Sequence, residues 1–277
     1  MHLRSWVAGS VLICVLAGAL LHGDEPPIVM GVVMDGSTPQ ERMPLESYLT
    51  KAMGRPVKVV SPDTYGDAVA ELADGYYDFA CLGALVYIRA RAKYGVVPLV
   101  QRVTDLAYHT VFITGANSSI RSLQDLRGRR FAFGDIDSTS GHLMAAYELI
   151  QAGIHPETDL RFRYSGSHPA TAALVQQGVV DAGAIDATVF NFLIASGRVD
   201  QRKIRVFYTS KPYVDYVWVA RKDLPRAEQE KFSRALLALR QGSDDAILKV
   251  LRARHFVVAS DDEYKSMRKI ARELKMF

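Results

Sequence analysis

Phe131-Ala-Phe-Gly-Asp-Ile-Asp-Ser-Thr-Ser-Gly-His142 joins a strand to a helix through three consecutive hydroxyl residues. Phe131, Ala132 and Phe133 form a short apolar strand, and Gly134 to Asp137 a turn. Behind the hydroxyls, Leu143, Met144, Tyr147 and Ile150 recur at helical spacing, and Gly153 stands where a helix stop belongs. Ser138, Thr139 and Ser140 therefore sit at a helix N-terminus. Unpaired N–H groups and the positive end of the helix dipole meet there, which favours an anion. Three hydroxyl donors add to this and would hold an oxyanion without Lys or Arg. Ordinary N-capping is the competing reading, because Ser and Thr cap helices routinely.

Outward from this stretch the same strand–turn–helix plan repeats. Residues 28–33, 56–60 and 78–82 read as strands, and residues 42–53, 64–73 and 84–93 as helices. Such alternation argues an α/β fold with largely parallel sheets. An echo then appears at an offset of 103 residues, with Gly31 matching Gly134, Ser37 matching Ser140 and Tyr65 matching His168. Gly75-Tyr-Tyr-Asp78 matches Gly178-Val-Val-Asp181, and Ala84, Val86 and Tyr87 match Ala187, Val189 and Phe190, with no gap from about residue 28 to 90. Two lobes of one design would face a cleft at the carboxyl ends of their strands, where open α/β sheets take ligands. The facing turns are residues 34–38 and 135–141.

The apolar segments Val111-Phe112-Ile113 and Val217-Trp218-Val219 are expected to be the strands that cross between lobes. The expected division is residues 24–113 with 216–277 for the first lobe and 114–215 for the second. Residues 225–239, 244–252 and 261–275 read as helices that complete the first lobe.

The chain has 277 residues, 49% hydrophobic and 23% charged, enough for a sizeable core in one or two domains. Residues 1–23 differ: Arg4 precedes an uncharged apolar run from Trp6 to Leu21, with small residues at Ala17-Gly18-Ala19 and Gly23. They read as a secretory signal peptide, with an uncleaved anchor as the alternative. Past them Cys81 is the one cysteine, so no disulfide forms within the mature chain and no cysteine metal site is expected. The basic residues are dispersed among acids, which argues against nucleic-acid binding.

At Asp135-Ile-Asp-Ser-Thr-Ser-Gly-His142 the sequence resembles the periplasmic phosphonate-binding protein family, the substrate-binding components of phosphate, phosphite and phosphonate ABC transporters. Residues 63–65, 75–87, 122–128, 165–168 and 219–225 carry the resemblance further. It implies a two-lobed periplasmic-binding-protein fold of type II, with two hinge crossover strands and the ligand in the interlobe cleft. It implies that Ser138, Thr139 and Ser140 hold the oxyanion, that His168 of Ser165-Gly-Ser-His168 touches it, and that Tyr65 and Tyr108 contribute. It also sets Asp186 and Asp215 against a ligand ammonium or a protonated ligand oxygen. Ala84 and Ala187 depart from the family pattern, and the turn at residues 34–38 finds no clear counterpart. Implied too are a membrane permease as partner, a monomeric state and no cofactor.

Three functional readings follow. The leading one is a periplasmic binding module that captures a phosphorus oxyanion and closes. A second is a membrane-tethered sensor, if residues 6–21 stay in place. A third is a phosphoester hydrolase with Ser138 as nucleophile and His142 or His168 as base. It lacks a Gly-x-Ser-x-Gly elbow and a metal cluster, so no catalytic residue is assigned.

Overall fold

Apolar runs and helical repeats alternate as expected through residues 26–32 and 38–277, the residues that the computed structural model describes. The signal-peptide segment and residues 34–37 of the first-lobe turn, with Ser37, lie outside them. In chain order the elements are β1 (Ile28–Val32), α1 (Pro39–Met53), β2 (Val57–Val60), α2 (Tyr65–Ala73), β3 (Phe79–Leu82), α3 (Ala84–Tyr94), β4 (Val97–Arg102) and β5 (Thr110–Gly115). Then come β6 (Arg130–Phe133), α4 (Met144–Gln151), α5 (Pro156–Asp159), β7 (Arg161–Tyr164), α6 (His168–Gln176), β8 (Ala182–Asp186), α7 (Ala187–Ala195) and β9 (Ile204–Thr209). The chain finishes with β10 (Val217–Ala220), α8 (Arg226–Ala238), α9 (Asp245–Val250), β11 (Phe256–Val258) and α10 (Lys265–Glu273).

Local chemistry explains the helix starts. Thr38 and Glu41 form a reciprocal capping box on α1, and Thr64 and Asp67 repeat it on α2. The strands make two sheets, ordered β11-β4-β10-β3-β1-β2 and β7-β6-β8-β5-β9. Each sheet is buried on both faces. In the first, Phe79 stacks on Phe232 at 4.0 Å between centroids on one side, while Tyr87 and Leu85 pack on the other.

The expectation of largely parallel sheets is corrected to mixed ones. β2-β1-β3 and β7-β6-β8 are parallel, whereas β10 and β5 run antiparallel to both neighbours. The reason is topological. Each of these two strands enters its sheet from the other lobe, so it meets the parallel set from the opposite end.

The internal echo is present in the fold, since the sheet orders match strand for strand (β2-β1-β3-β10-β4 with β7-β6-β8-β5-β9). Helices α2 and α6 coincide at the offset of 103 residues. The ungapped match fails at the first strand. Met30 lies opposite Phe79 and Phe131 opposite Ala182, so the third strands are 103 apart but the first strands 101. Asp78 and Asp181 give the same answer, accepting from the Val29 and Arg130 N–H groups respectively. Gly31 is thus the counterpart of Ala132, not of Gly134.

The crossing segments are also corrected. β5 pairs only within the second sheet and β10 only within the first, so residues 110–113 belong with the second lobe. Their unbroken apolar character reflects burial in a sheet. The chain crosses just before each strand, at residues 103–109 and 210–216. There the two paths run antiparallel and pair: Tyr108 N–H donates to Tyr213 O at 2.7 Å, Tyr213 N–H to Tyr108 O at 3.0 Å, and Asp215 N–H to Asp105 O at 2.9 Å.

Candidate functional site

The hydroxyl turn leaves β6 and enters α4 through one widened turn. Leu143 N–H reaches Ser138 O at 3.1 Å, and Met144 N–H reaches Thr139 O. This is a π-type step of a kind common at functional sites. It needs glycine at both ends of the bend. Gly134 N–H donates to Gly141 O at 2.9 Å, and a Cβ on Gly141 would lie 3.0 Å from Gly134 Cα and 3.1 Å from Ser138 Oγ. Ser138, Thr139 and Ser140 are all buried. Ser138 Oγ accepts from Gly141 N–H at 3.0 Å, which leaves its own proton to donate. Ser140 Oγ lies 3.4 Å from His168 Nε2 at the start of α6. His168 Nδ1 is buried and has no hydrogen-bond partner among the described residues.

Across the cleft stands the N-terminus of α3. Its cap is Gly83, which supplies no side chain. The helix's first N–H groups are taken from elsewhere: Ala84 N–H donates to Asp215 Oδ1 and Leu85 N–H to Thr139 Oγ1, each at 3.0 Å. A first-lobe helix, a second-lobe hydroxyl and a carboxylate on the second crossover thus meet at one point. The equivalent helix of the second lobe caps itself, Val189 N–H donating to Asp186 Oδ1 at 2.8 Å. Asp186 Oδ2 accepts from the Tyr108 hydroxyl, so both its oxygens are engaged. Thr110 donates to Ser140 O at 2.9 Å and shares a 2.8 Å contact with the Tyr213 hydroxyl, which fixes the turn to β5. Tyr65 opens α2, buried, near Tyr216 of the second crossover. The next residue, Gly66, faces Asp137 of the hydroxyl turn.

Electrostatics single out Asp215. Its side chain is fully buried, and Oδ2 has no partner among the described residues. Burial pushes its carboxyl up to about 8, and the charges of Asp186 and Asp105 add to this against the Ala84 N–H and the Thr139 hydroxyl. Burial likewise holds the Tyr108 hydroxyl well above its usual range. Burial lowers His142, although the Ile136 carbonyl opposes this.

All eight residues expected at the site are buried, and six of them meet in three groups: Ser140 with His168, Thr139 with Asp215 at α3, and Tyr108 with Asp186. Asp215, readable as a solvated loop residue, is enclosed. His142 is turned away from Ser138, its Nδ1 2.6 Å from Ile136 O and its Nε2 3.0 Å from the Tyr164 hydroxyl. His168 faces Ser140 instead of Ser138. Sequence reasoning missed Gly83, Thr110 and Tyr213. The absence of a capping residue before Ala84 was the one signal available, since a helix that lacks its own cap must take one from elsewhere.

Comparison with known proteins gives a consistent result. A family model described as ABC transporter, phosphonate, periplasmic substrate-binding protein matches residues 35–264. A probable ABC transporter phosphite binding protein of Prochlorococcus marinus (strain MIT 9301), PhnD1, is 32% identical over 241 residues, covering 82% of this chain and 81% of that one. The structure of PhnD1 in complex with methylphosphonate superposes with a TM-score of 0.83 at 29% identity, covering 91% of this chain and 99% of that one. The phosphate-import protein PhnD of Mycolicibacterium smegmatis is 27% identical, covering 64% of this chain and 60% of its own.

Proposed function

The chain belongs to the family of periplasmic substrate-binding proteins of phosphonate ABC transporters, and we propose that it captures a small phosphorus oxyanion by closing its two lobes. Ser138, Thr139, Ser140 and His168 hold the oxyanion head from the second lobe. The N-terminus of α3 and Tyr65 meet it from the first. Closure follows from differential affinity, since only the closed state brings both sets of donors together. The closed complex docks on a membrane permease, and the protein acts as a monomer exported by its N-terminal segment.

The observation that carries this reading is the meeting of Thr139, the α3 N-terminus and the unpartnered oxygen of Asp215 at one enclosed point. An anion there finds N–H and O–H donors. The carboxyl requires that one proton be shared between itself and the ligand, because two bare charges at contact repel strongly. The Asp215 carboxyl, pushed up to about 8, or a singly protonated oxyanion supplies that proton. With both oxygens of Asp186 occupied, the Asp215 oxygen is the one acidic oxygen left open at this point among the described residues, which favours phosphite or methylphosphonate over a ligand with an amine to bury. The name of the phosphite-binding relative and the methylphosphonate in its structure support this choice.

Calorimetric titration of the purified protein against phosphite, methylphosphonate, phosphate and 2-aminoethylphosphonate tests the reading. Tight binding of phosphite or methylphosphonate is expected, weakened about 100-fold or more in Ser138→Ala/Thr139→Ala through two lost charge-assisted hydrogen bonds. Absence of heat across the panel would overturn it. A stronger response to the aminoalkyl compound would overturn the ligand choice alone.

A further inference from the structure

The lobes are also tied together outside the ligand cradle. Arg89 lies on α3, one turn beyond the residues that meet Thr139. Its Nη1 is 2.5 Å from Oδ1 of Asp137, the residue just before Ser138 in the other lobe. Asp137 is itself held in place, its N–H donating to Asp135 Oδ1 at 2.7 Å. The Nε of the same Arg89 donates to the carbonyl of Met276 at 2.8 Å. That carbonyl is presented by a tight reversal after α10. Met276 N–H returns to Ala271 O at 2.7 Å, Lys275 N–H to Arg272 O at 3.0 Å, and Lys275 adopts a left-handed φ of 56°. The reversal lays Leu274 and Met276 against the core clusters of both lobes.

We propose that Arg89, buttressed by the Leu274–Met276 strap, is a positioning residue that latches the closed state through Asp137 and sets how long a captured ligand is held. This rests on the closing-cleft reading above. The strap fixes one edge of the guanidinium to the first lobe. The other edge then reaches the hydroxyl turn only when the lobes are together. Opening must break the Arg89–Asp137 pair before Thr139 leaves α3. The pair lies apart from Ser138, Thr139, Ser140 and His168, so its loss speeds departure and does not slow encounter. Both side chains are about a third exposed, 37% and 29%, so salt weakens the latch.

The test combines two readouts on Arg89→Gln, Asp137→Asn and the double variant. Stopped-flow dissociation of phosphite and methylphosphonate should be about threefold faster than wild type in each single variant and no faster still in the double, with association no slower. Raising sodium chloride from about 0.05 to 0.5 M should speed release from the wild type and leave the variants level. Small-angle scattering of the ligand-free proteins should show each variant expanded relative to wild type. Leu274→Ala/Met276→Ala should reproduce both effects with Arg89 and Asp137 intact. Unchanged release together with unchanged scattering would overturn the latch, as would additive effects in the double variant. If wild type binds nothing in the panel, the ligand reading fails. The latch is then decided by scattering alone, expansion supporting it and an unchanged radius of gyration overturning it.

Discussion

Asp215 reads differently at each level of description. In the sequence it is one acid in Lys211-Pro-Tyr-Val-Asp215, equally compatible with a solvated loop. In the fold it is wholly enclosed, because a second crossing of the chain carries it beneath α3. Its carboxyl titrates near 8 when folded and near 4 in an unfolded chain. Between those values the folded protein holds a proton that the unfolded chain has released. By linkage, stability falls as pH rises through that window and levels off above it. Calorimetric melting of the ligand-free protein from about pH 5 to 9 should therefore show a declining Tm that Asp215→Asn flattens. Parallel slopes in the two proteins would show that this carboxyl does not control the trend. The hydroxyl turn was legible because its residues are contiguous and its helix follows at once. Asp215 and Gly83 were not, since 132 positions of chain separate them and nothing local announces their approach.

The N-termini of α3 and α7 show how duplicated elements diverge into a site. At the common offset Gly83 of one corresponds to Asp186 of the other. Asp186 caps its own helix and accepts the Tyr108 hydroxyl, so that end is closed. Gly83 caps nothing, and the donors of α3 stay available to groups from across the cleft. A Cβ on Gly83 would lie 3.0 Å from Thr139 Oγ1 and 3.4 Å from Asp215 Oδ1. Neither atom can yield without breaking its bond to Leu85 or Ala84. The φ of −67° at Gly83 suits any residue, so Gly83→Ala should fold normally. It should wedge the lobes and raise the Kd for phosphite or methylphosphonate about tenfold, or about 1.4 kcal/mol. Titration and urea unfolding in parallel check this. Unaltered binding would mean that the lobes close without this contact, and an unfolding midpoint that drops with the affinity would mean the residue is structural. The alternation of strands and helices gave these elements to within a few residues. It did not give the two-residue displacement of β1, because only strand register distinguishes 101 from 103.

At the scale of the molecule, two lobes share one hinge, and the hinge is chemically unlike either sheet. The strands flanking it are apolar and buried, which is why they drew attention in the sequence as the crossing segments. The true crossings carry polar groups. Arg102 and Asp105, at the first of them, form a buried ion pair with Nη2 2.6 Å from Oδ1 and further bonds through Nε and the Arg102 N–H. Asp105 O accepts from Asp215 N–H on the second crossing, so the pair is built into the junction of both paths. Such a pair contributes little net stability over an apolar substitute, but removal of one partner strands the other charge in a dry interior. Asp105→Ala should thus lower unfolding stability by about 3–5 kcal/mol, read from the urea midpoint. The double substitution Arg102→Met/Asp105→Leu should recover most of the loss, because it removes both charges while keeping the volume. If the pair instead serves as the hinge's register, the double variant will be stable yet bind phosphite or methylphosphonate weakly, since Asp215 would no longer be held where α3 and Thr139 meet. Equal stability in Asp105→Ala and wild type would show that Arg102 finds solvent when released, and that the junction is looser than its burial implies.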